Sequence, residues 1–111
     1  MAAALRVRAY VGERDRHHGQ PLYTAIVHAA HEAGLAGATA FKGIEGYGSH
    51  WVEHSARVVD MSSDLPVVVE VIDEPASIEA FLPALTAMVG AGLITLERIE
   101  VVHRSARNPP A

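Results

Sequence analysis

Apolar and polar residues alternate strictly near the start of the chain. Leu5, Val7, Ala9 and Val11 interleave with Arg6, Arg8 and Tyr10, the period of two that marks a half-buried strand. A polar loop rich in Arg, Asp and His follows over residues 12–20. The period then changes. Leu22, Ile26, Ala29, Ala30 and Ala33 recur at helical spacing, with Thr24, His28 and His31 on the other side, which predicts an amphipathic helix. Pro21 stands where a first helical residue is expected, and Gly34 where a C-terminal cap is expected. Residues 38–44 read as a second strand, although alanine is a poor strand former. Residues 65–72 give the clearest strand. Val67, Val69 and Val71 face one way, and Val68 and Ile72 the other, around Glu70. A strand apolar on both faces is expected to be covered on both. Ile78, Phe81, Leu82, Leu85, Met88 and Val89 then predict a second helix. Pro83 removes a backbone donor inside it, so a kink is expected there, and Gly90 is expected to end it. Residues 93–102 give a last strand.

This order is close to a repeated strand-helix-strand unit. It predicts an α+β fold, the ferredoxin-like βαββαβ sandwich, with a four-stranded antiparallel sheet and both helices on one face. The other sheet face is left bare, and the two-sided strand at 65–72 points to another copy of the chain as its cover. A single domain is expected over residues 1–104, with a long loop at about 45–64 and a mobile tail at 105–111.

Composition narrows the function classes. At 111 residues, one domain buries roughly 65% of its unfolded surface without staples. There are no cysteines, which excludes disulfides and thiolate metal sites. Met1-Ala2-Ala3-Ala4 lacks the basic and long apolar regions of a signal peptide, so a cytoplasmic protein is expected. Residues 80–96 carry no charge over 17 positions, but a spanning helix wants about 20 apolar residues. Pro83, Gly90 and Gly92 mark this segment as a helix end, a turn and a strand start, so no membrane insertion is expected. The net charge is −4, from 13 acidic and 9 basic residues. No basic run exists to neutralise phosphates, so nucleic acid is not an expected partner. Single-stranded RNA on the open sheet face would need stacking aromatics on central strands, and Tyr10 is the sole candidate.

The candidate chemistry sits in Lys42-Gly43-Ile44-Glu45-Gly46-Tyr47-Gly48. Three glycines in six positions leave backbone bare or sharply bent, and Lys42 adds a positive charge. Successive amides in such a turn can cradle an anion; the alternative is a tight turn at a loop base. His50-Trp51-Val52-Glu53-His54 matches H-x-x-E-H. A zinc site would also need a supporting helix, a third ligand and a base, which no pattern here supplies. His50 and His54 are therefore candidates only for regulatory metal binding, against a solvated loop. His28 and His31, at i and i+3, have metal-holding spacing but lie on a polar helix face. His17-His18 reads as solvated. Trp51 is either a partner anchor or packed on its own subunit. No catalytic constellation is legible, so an enzyme is not expected.

Several segments resemble a known family. They are Arg8-Ala9-Tyr10-Val11-Gly12-Glu13, Gly19-Gln20-Pro21-Leu22-Tyr23, Ala33-Gly34-Leu35-Ala36-Gly37-Ala38-Thr39, Lys42 to Gly48, and Ser63-Asp64-Leu65-Pro66-Val67. They resemble the prokaryotic domain of unknown function 190, over most of the chain. That family is similar to the PII signalling proteins. The resemblance implies a homotrimer whose loop between the second and third predicted strands touches a partner protein, with a membrane transporter or channel among the candidates. It also implies an effector, an adenine nucleotide or small anion, in a cleft between subunits at the loop base. The implied site residues are Lys42, Gly43, Glu45, Gly46, Tyr47 and Gly48, with Gly90 and Gly92 as the second wall. PII proteins carry Arg and Lys around that second wall. Here it reads Val89-Gly90-Ala91-Gly92-Leu93-Ile94-Thr95, which turns the expectation from ATP toward a mono- or diphosphate nucleotide or a smaller anion. The expected function is a PII-like trimeric ligand-binding regulator. The alternative is a metal-responsive ferredoxin-like trimer using His50 and His54.

Overall fold

The computed structural model describes residues 1–48 and 64–105. Strand β1 spans Ala2–Gly12. A two-residue pair follows, β2 (Arg16–His17) with β3 (Gln20–Pro21). Helix α1 covers Leu22–Glu32, β4 Gly37–Lys42, β5 Pro66–Asp73, α2 Pro75–Val89 and β6 Leu93–Val101. The main sheet has the order β4-β5-β1-β6, and every neighbouring pair is antiparallel. Two helices and a four-stranded antiparallel sheet make the expected α+β ferredoxin-like fold.

The period-two pattern decides which side chains enter the core. Leu5, Val7, Ala9 and Val11 of β1 and Val67, Val69 and Val71 of β5 are buried on one sheet face. Leu22, Ile26 and Ala30 of α1 and Ile78, Phe81, Leu85 and Val89 of α2 close over them as one cluster. Both helices thus cover the same face. Pro83 sits on the exposed side of α2, where water can satisfy the carbonyl left without a donor.

Three local expectations change. Pro21 ends β3 with extended backbone (φ −57°, ψ 137°), and Leu22 is the first helical residue. The polar loop contains a tight hairpin whose turn is His18 (φ 49°) and Gly19 (φ 83°). Two consecutive positive φ values match the turn that suits a twisted hairpin. The Arg16 guanidinium donates to the Gly19 carbonyl across it, at 2.7 Å. Finally, β4 stops at Lys42, so Ile44 lies beyond the strand and is 95% exposed. The uncharged stretch 80–96 divides into the end of α2, a glycine turn and the start of β6, as expected. No helix among the described residues is long and apolar enough to cross a membrane.

Gly92 occupies a position that no side chain fits. A Cβ there would lie 2.6 Å from Val89 Cγ1 and 2.8 Å from the Tyr10 carbonyl oxygen. The backbone oxygen belongs to the central strand and cannot give way cheaply. Gly92→Ala is expected to cost about 1–3 kcal/mol, read as a lower urea midpoint with unchanged slope.

Candidate functional site

Four strand ends meet at one end of the sheet. β1 ends at Gly12, opposite Pro66 at the start of β5. Lys42, the last residue of β4, pairs with Val67, and Leu93, the first of β6, pairs with Tyr10. The glycine-rich stretch 43–48 and the turn at Gly90–Gly92 therefore share this end. They sit on opposite edges, because β4 and β6 flank the sheet. Three strand spacings separate them, roughly 14 Å. One chain does not bring these two walls together.

The loop base is tightly tied. The Gly43 amide donates to the Pro66 carbonyl at 2.7 Å, so it is already engaged. A Cβ on Gly43 or Gly46 would meet Pro66 Cγ at 2.8 and 3.0 Å. Both glycines thus have a packing reason to be glycine, and Gly46→Val would disturb this contact whatever binds nearby. No described group accepts a hydrogen bond from the amides of Ile44 to Gly48. Glu45 and Tyr47 are exposed.

Lys42 is paired, which the sequence did not indicate. Its Nζ lies 2.6 Å from Glu13 Oε2. The turn after β1 also holds the returning chain: the Glu13 amide donates to the Leu65 carbonyl at 2.8 Å, and the Arg14 amide to Asp64 Oδ1 at 3.0 Å. Asp15 braces this turn, its Oδ2 accepting from the Gly12 amide and its carbonyl from the Leu22 amide. A small cavity of about 110 Å³ lies here, lined by Glu13, Tyr23, Ala40, Phe41, Lys42 and Val67. It is open to solvent, and a group of phosphate size fits within it. A larger open groove of about 590 Å³ lies at the opposite end, between Met1–Ala4, the start of β4 and residues 101–104.

The helix-free face of the sheet carries the second feature. Directly paired residues share a face, so Arg6, Arg8 and Tyr10 stand beside Val68, Glu70 and Ile72, beside Phe41, and beside Leu93, Thr95 and Glu97. Arg8 Nε donates to Glu70 Oε1 at 3.0 Å, and Arg6 donates to Glu97 Oε1 at 2.9 Å. Longer contacts cross between the pairs, Arg6 to Glu70 at 3.7 Å and Arg8 to Glu97 at 3.8 Å. Two cations and two anions therefore form a closed, neutral cluster. Arg6 Nε is buried there without a hydrogen-bond partner among the described residues. Phe41 and Leu93 are exposed at one end. The signal for this cluster is in the sequence: Glu70 interrupts a valine strand, and Arg6 and Arg8 alternate in another. The spacing does not say that they meet.

These pairs shift their titration. The hydrogen bond from Arg6 holds Glu97 below the ordinary carboxylate value, Lys42 does the same for Glu13, and Glu70 raises Arg8 further. A carboxyl whose pKa is lower when folded stabilises the fold above its unfolded value of 4.5. That contribution disappears as pH falls through the folded value. Thermal midpoints are expected to hold from pH 7 to about 5 and to drop below 4.5, with a shallower drop in Glu97→Gln.

Among the described residues, no group of three His, Asp or Glu side chains is placed to hold a metal. His28 and His31 are exposed on α1. The His17 and His18 rings stack with centroids 4.2 Å apart. His50, Trp51 and His54, and most of the expected 45–64 loop and 105–111 tail, lie outside the described residues.

Fold and surface together define a ferredoxin-like α+β domain with one helix-free, charge-paired sheet face. The sequence profile of the DUF190 family, described as "Uncharacterized ACR", matches residues 4–101. A UPF0166 protein of Aquifex aeolicus is 39% identical over 97 residues, covering 87% of this chain and 91% of its own length. A UPF0166 protein of Methanocaldococcus jannaschii is 33% identical over 97 residues, 86% of this chain and 89% of its own. The chain belongs to the DUF190 family.

Proposed function

We propose that this protein is a PII-like regulatory protein and not an enzyme. It assembles as a homotrimer and binds a small anionic ligand at the base of the 45–64 loop. The observation that carries this reading is the helix-free, charge-paired sheet face. Its four charges neutralise one another through Arg6, Arg8, Glu70 and Glu97. A paired cluster can be desolvated where single charges cannot, and Tyr10, Val68, Phe41 and Leu93 add apolar area beside it. Such a face suits burial against copies of itself.

Assembly would also solve the problem of the two walls. The loop base of one protomer, Lys42 to Gly48, would lie near Gly90 and Gly92 of the next. The second wall has no Lys or Arg, so an adenine mono- or diphosphate or a small anion is favoured over a triphosphate. The 45–64 loop would then engage a partner protein, with a transporter or channel at the cytoplasmic side of a membrane as the candidate class. The test is a thermal-shift series with AMP, ADP, ATP, inorganic phosphate, bicarbonate and divalent metals. A native-state ligand must raise the melting temperature. AMP, ADP or a small anion is expected to raise it more than ATP. A response to metal alone, lost in His50→Ala and His54→Ala, would replace this reading with a metal-responsive one.

A further inference from the structure

We infer that Glu13 is a built-in competitor for the anion position at Lys42. It must move aside before a phosphate-class ligand binds there, and its charge sets the affinity of the site. This rests on the loop-base ligand reading above. Lys42 is the only lysine in the chain, and its ammonium is 2.6 Å from Glu13 Oε2. Lys42 directly precedes the glycine-rich stretch in the chain, and both members of the pair line the pocket there. Both side chains are partly exposed, so solvent screens the pair and it is worth little in itself. A contact that weak holds the cation in place yet can be exchanged for another anion. The cavity beside it, with Tyr23 on its wall, admits a group of phosphate size.

Glu13 is also positioned to report the exchange. Its side chain holds the outgoing stem through Lys42, and its amide holds the incoming stem through Leu65. The neighbouring Arg14 amide binds Asp64. Displacement of the carboxylate frees Lys42 from this turn and leaves the incoming stem attached. The Gly43 amide still donates to the Pro66 carbonyl, so the exchange releases only the side-chain tie between Lys42 and the turn after β1. Ligand binding is thereby linked to the turn after β1 through one side chain.

A single lysine makes the test direct. Lysine labelled with ¹³C and ¹⁵N gives one side-chain signal in the full-length protein, and its titration with inorganic phosphate and with AMP reads the site alone. Four proteins are compared: wild type, Glu13→Gln, Glu13→Asp and Lys42→Met, the last by calorimetry. Circular dichroism checks that each is folded. Glu13→Gln is expected to bind phosphate roughly three- to tenfold more tightly than wild type, because a like charge a few ångströms away is gone. Glu13→Asp keeps the charge and is expected to stay within about twofold of wild type, and Lys42→Met to lose at least tenfold. If only AMP follows this order, the ligand is a nucleotide rather than the free anion. Equal affinity in wild type and Glu13→Gln overturns the competitor role and leaves the ligand reading intact, provided Lys42→Met binds weakly. A lysine signal that phosphate and AMP leave unmoved in both wild type and Glu13→Gln overturns both.

Discussion

Val69→Asp is expected to leave no folded protein, while Val68→Asp, one residue earlier, is expected to fold. Val69 is 1% exposed and lies between β1 and β4, opposite Ala9 and Ala40, under the helices. Aspartate there loses about 1.5–3 kcal/mol of apolar burial and strands a charge with no partner, for several kcal/mol more. A domain of this size is stable by roughly 5–15 kcal/mol, so the sum consumes most or all of it. Val68 is half-buried on the other face, opposite Tyr10 and Phe41. Aspartate at Val68 costs only strand preference within one chain, on the order of 1 kcal/mol. Far-ultraviolet circular dichroism of the soluble fraction separates the two outcomes. A folded, cooperative Val69→Asp protein would contradict the assignment of faces.

Asp73→Ala is expected to destabilise by about 2–4 kcal/mol, the second largest effect. Asp73 is the one polar residue among the described buried ones, at 8% exposure. Its carboxylate accepts from the Ala36 amide at 3.0 Å and from the Glu74 amide at 2.7 Å. It also lies 3.5 Å from the Arg104 guanidinium. One side chain therefore joins the turn before β4, the start of α2 and the chain after β6. Removing it leaves two part-buried amides unsatisfied, each worth about 1–3 kcal/mol. Asp73→Asn keeps one acceptor and is expected to recover part of the loss. Urea denaturation of the three proteins gives the comparison. An alanine variant within 0.5 kcal/mol of wild type, a change expected only of featureless surface sites, would show that the carboxylate does not hold these elements together.

The fold was legible because its periods are clean. The alternation in β1, the valine run of β5 and the helical spacing of α2 name their own buried faces, and the core contains the residues they predict. The failures are local and physical. The hairpin at residues 16–21 is too short to show alternation, and its turn uses His18 where Asn or Gly would have announced it. Ile44 looked like strand by composition, but Pro66, next in register to Gly43, accepts its amide and has no N–H to give back, which ends the ladder. The candidate site was legible as a place and not as chemistry. Lys42 and the glycines stood out, whereas Glu13, 29 positions earlier, reaches Lys42 only through the pairing of β4, β5 and β1. The same holds for Arg6, Arg8, Glu70 and Glu97, which three strands bring together. Segments that carried the family resemblance, Glu13 at the end of one, Lys42 to Gly48, and Asp64 to Val67, converge at this one end of the sheet. What the resemblance joined in sequence, the register joins in space.

The central claim is that the helix-free sheet face is an interface between copies of this chain. Size-exclusion chromatography with multi-angle light scattering, on wild type and Val68→Asp at micromolar concentration, tests it most directly. A wild-type mass three times the 11.8 kDa of the chain is predicted, with Val68→Asp folded at the mass of one chain. A wild-type protein that is folded and stable at 11.8 kDa would contradict the account.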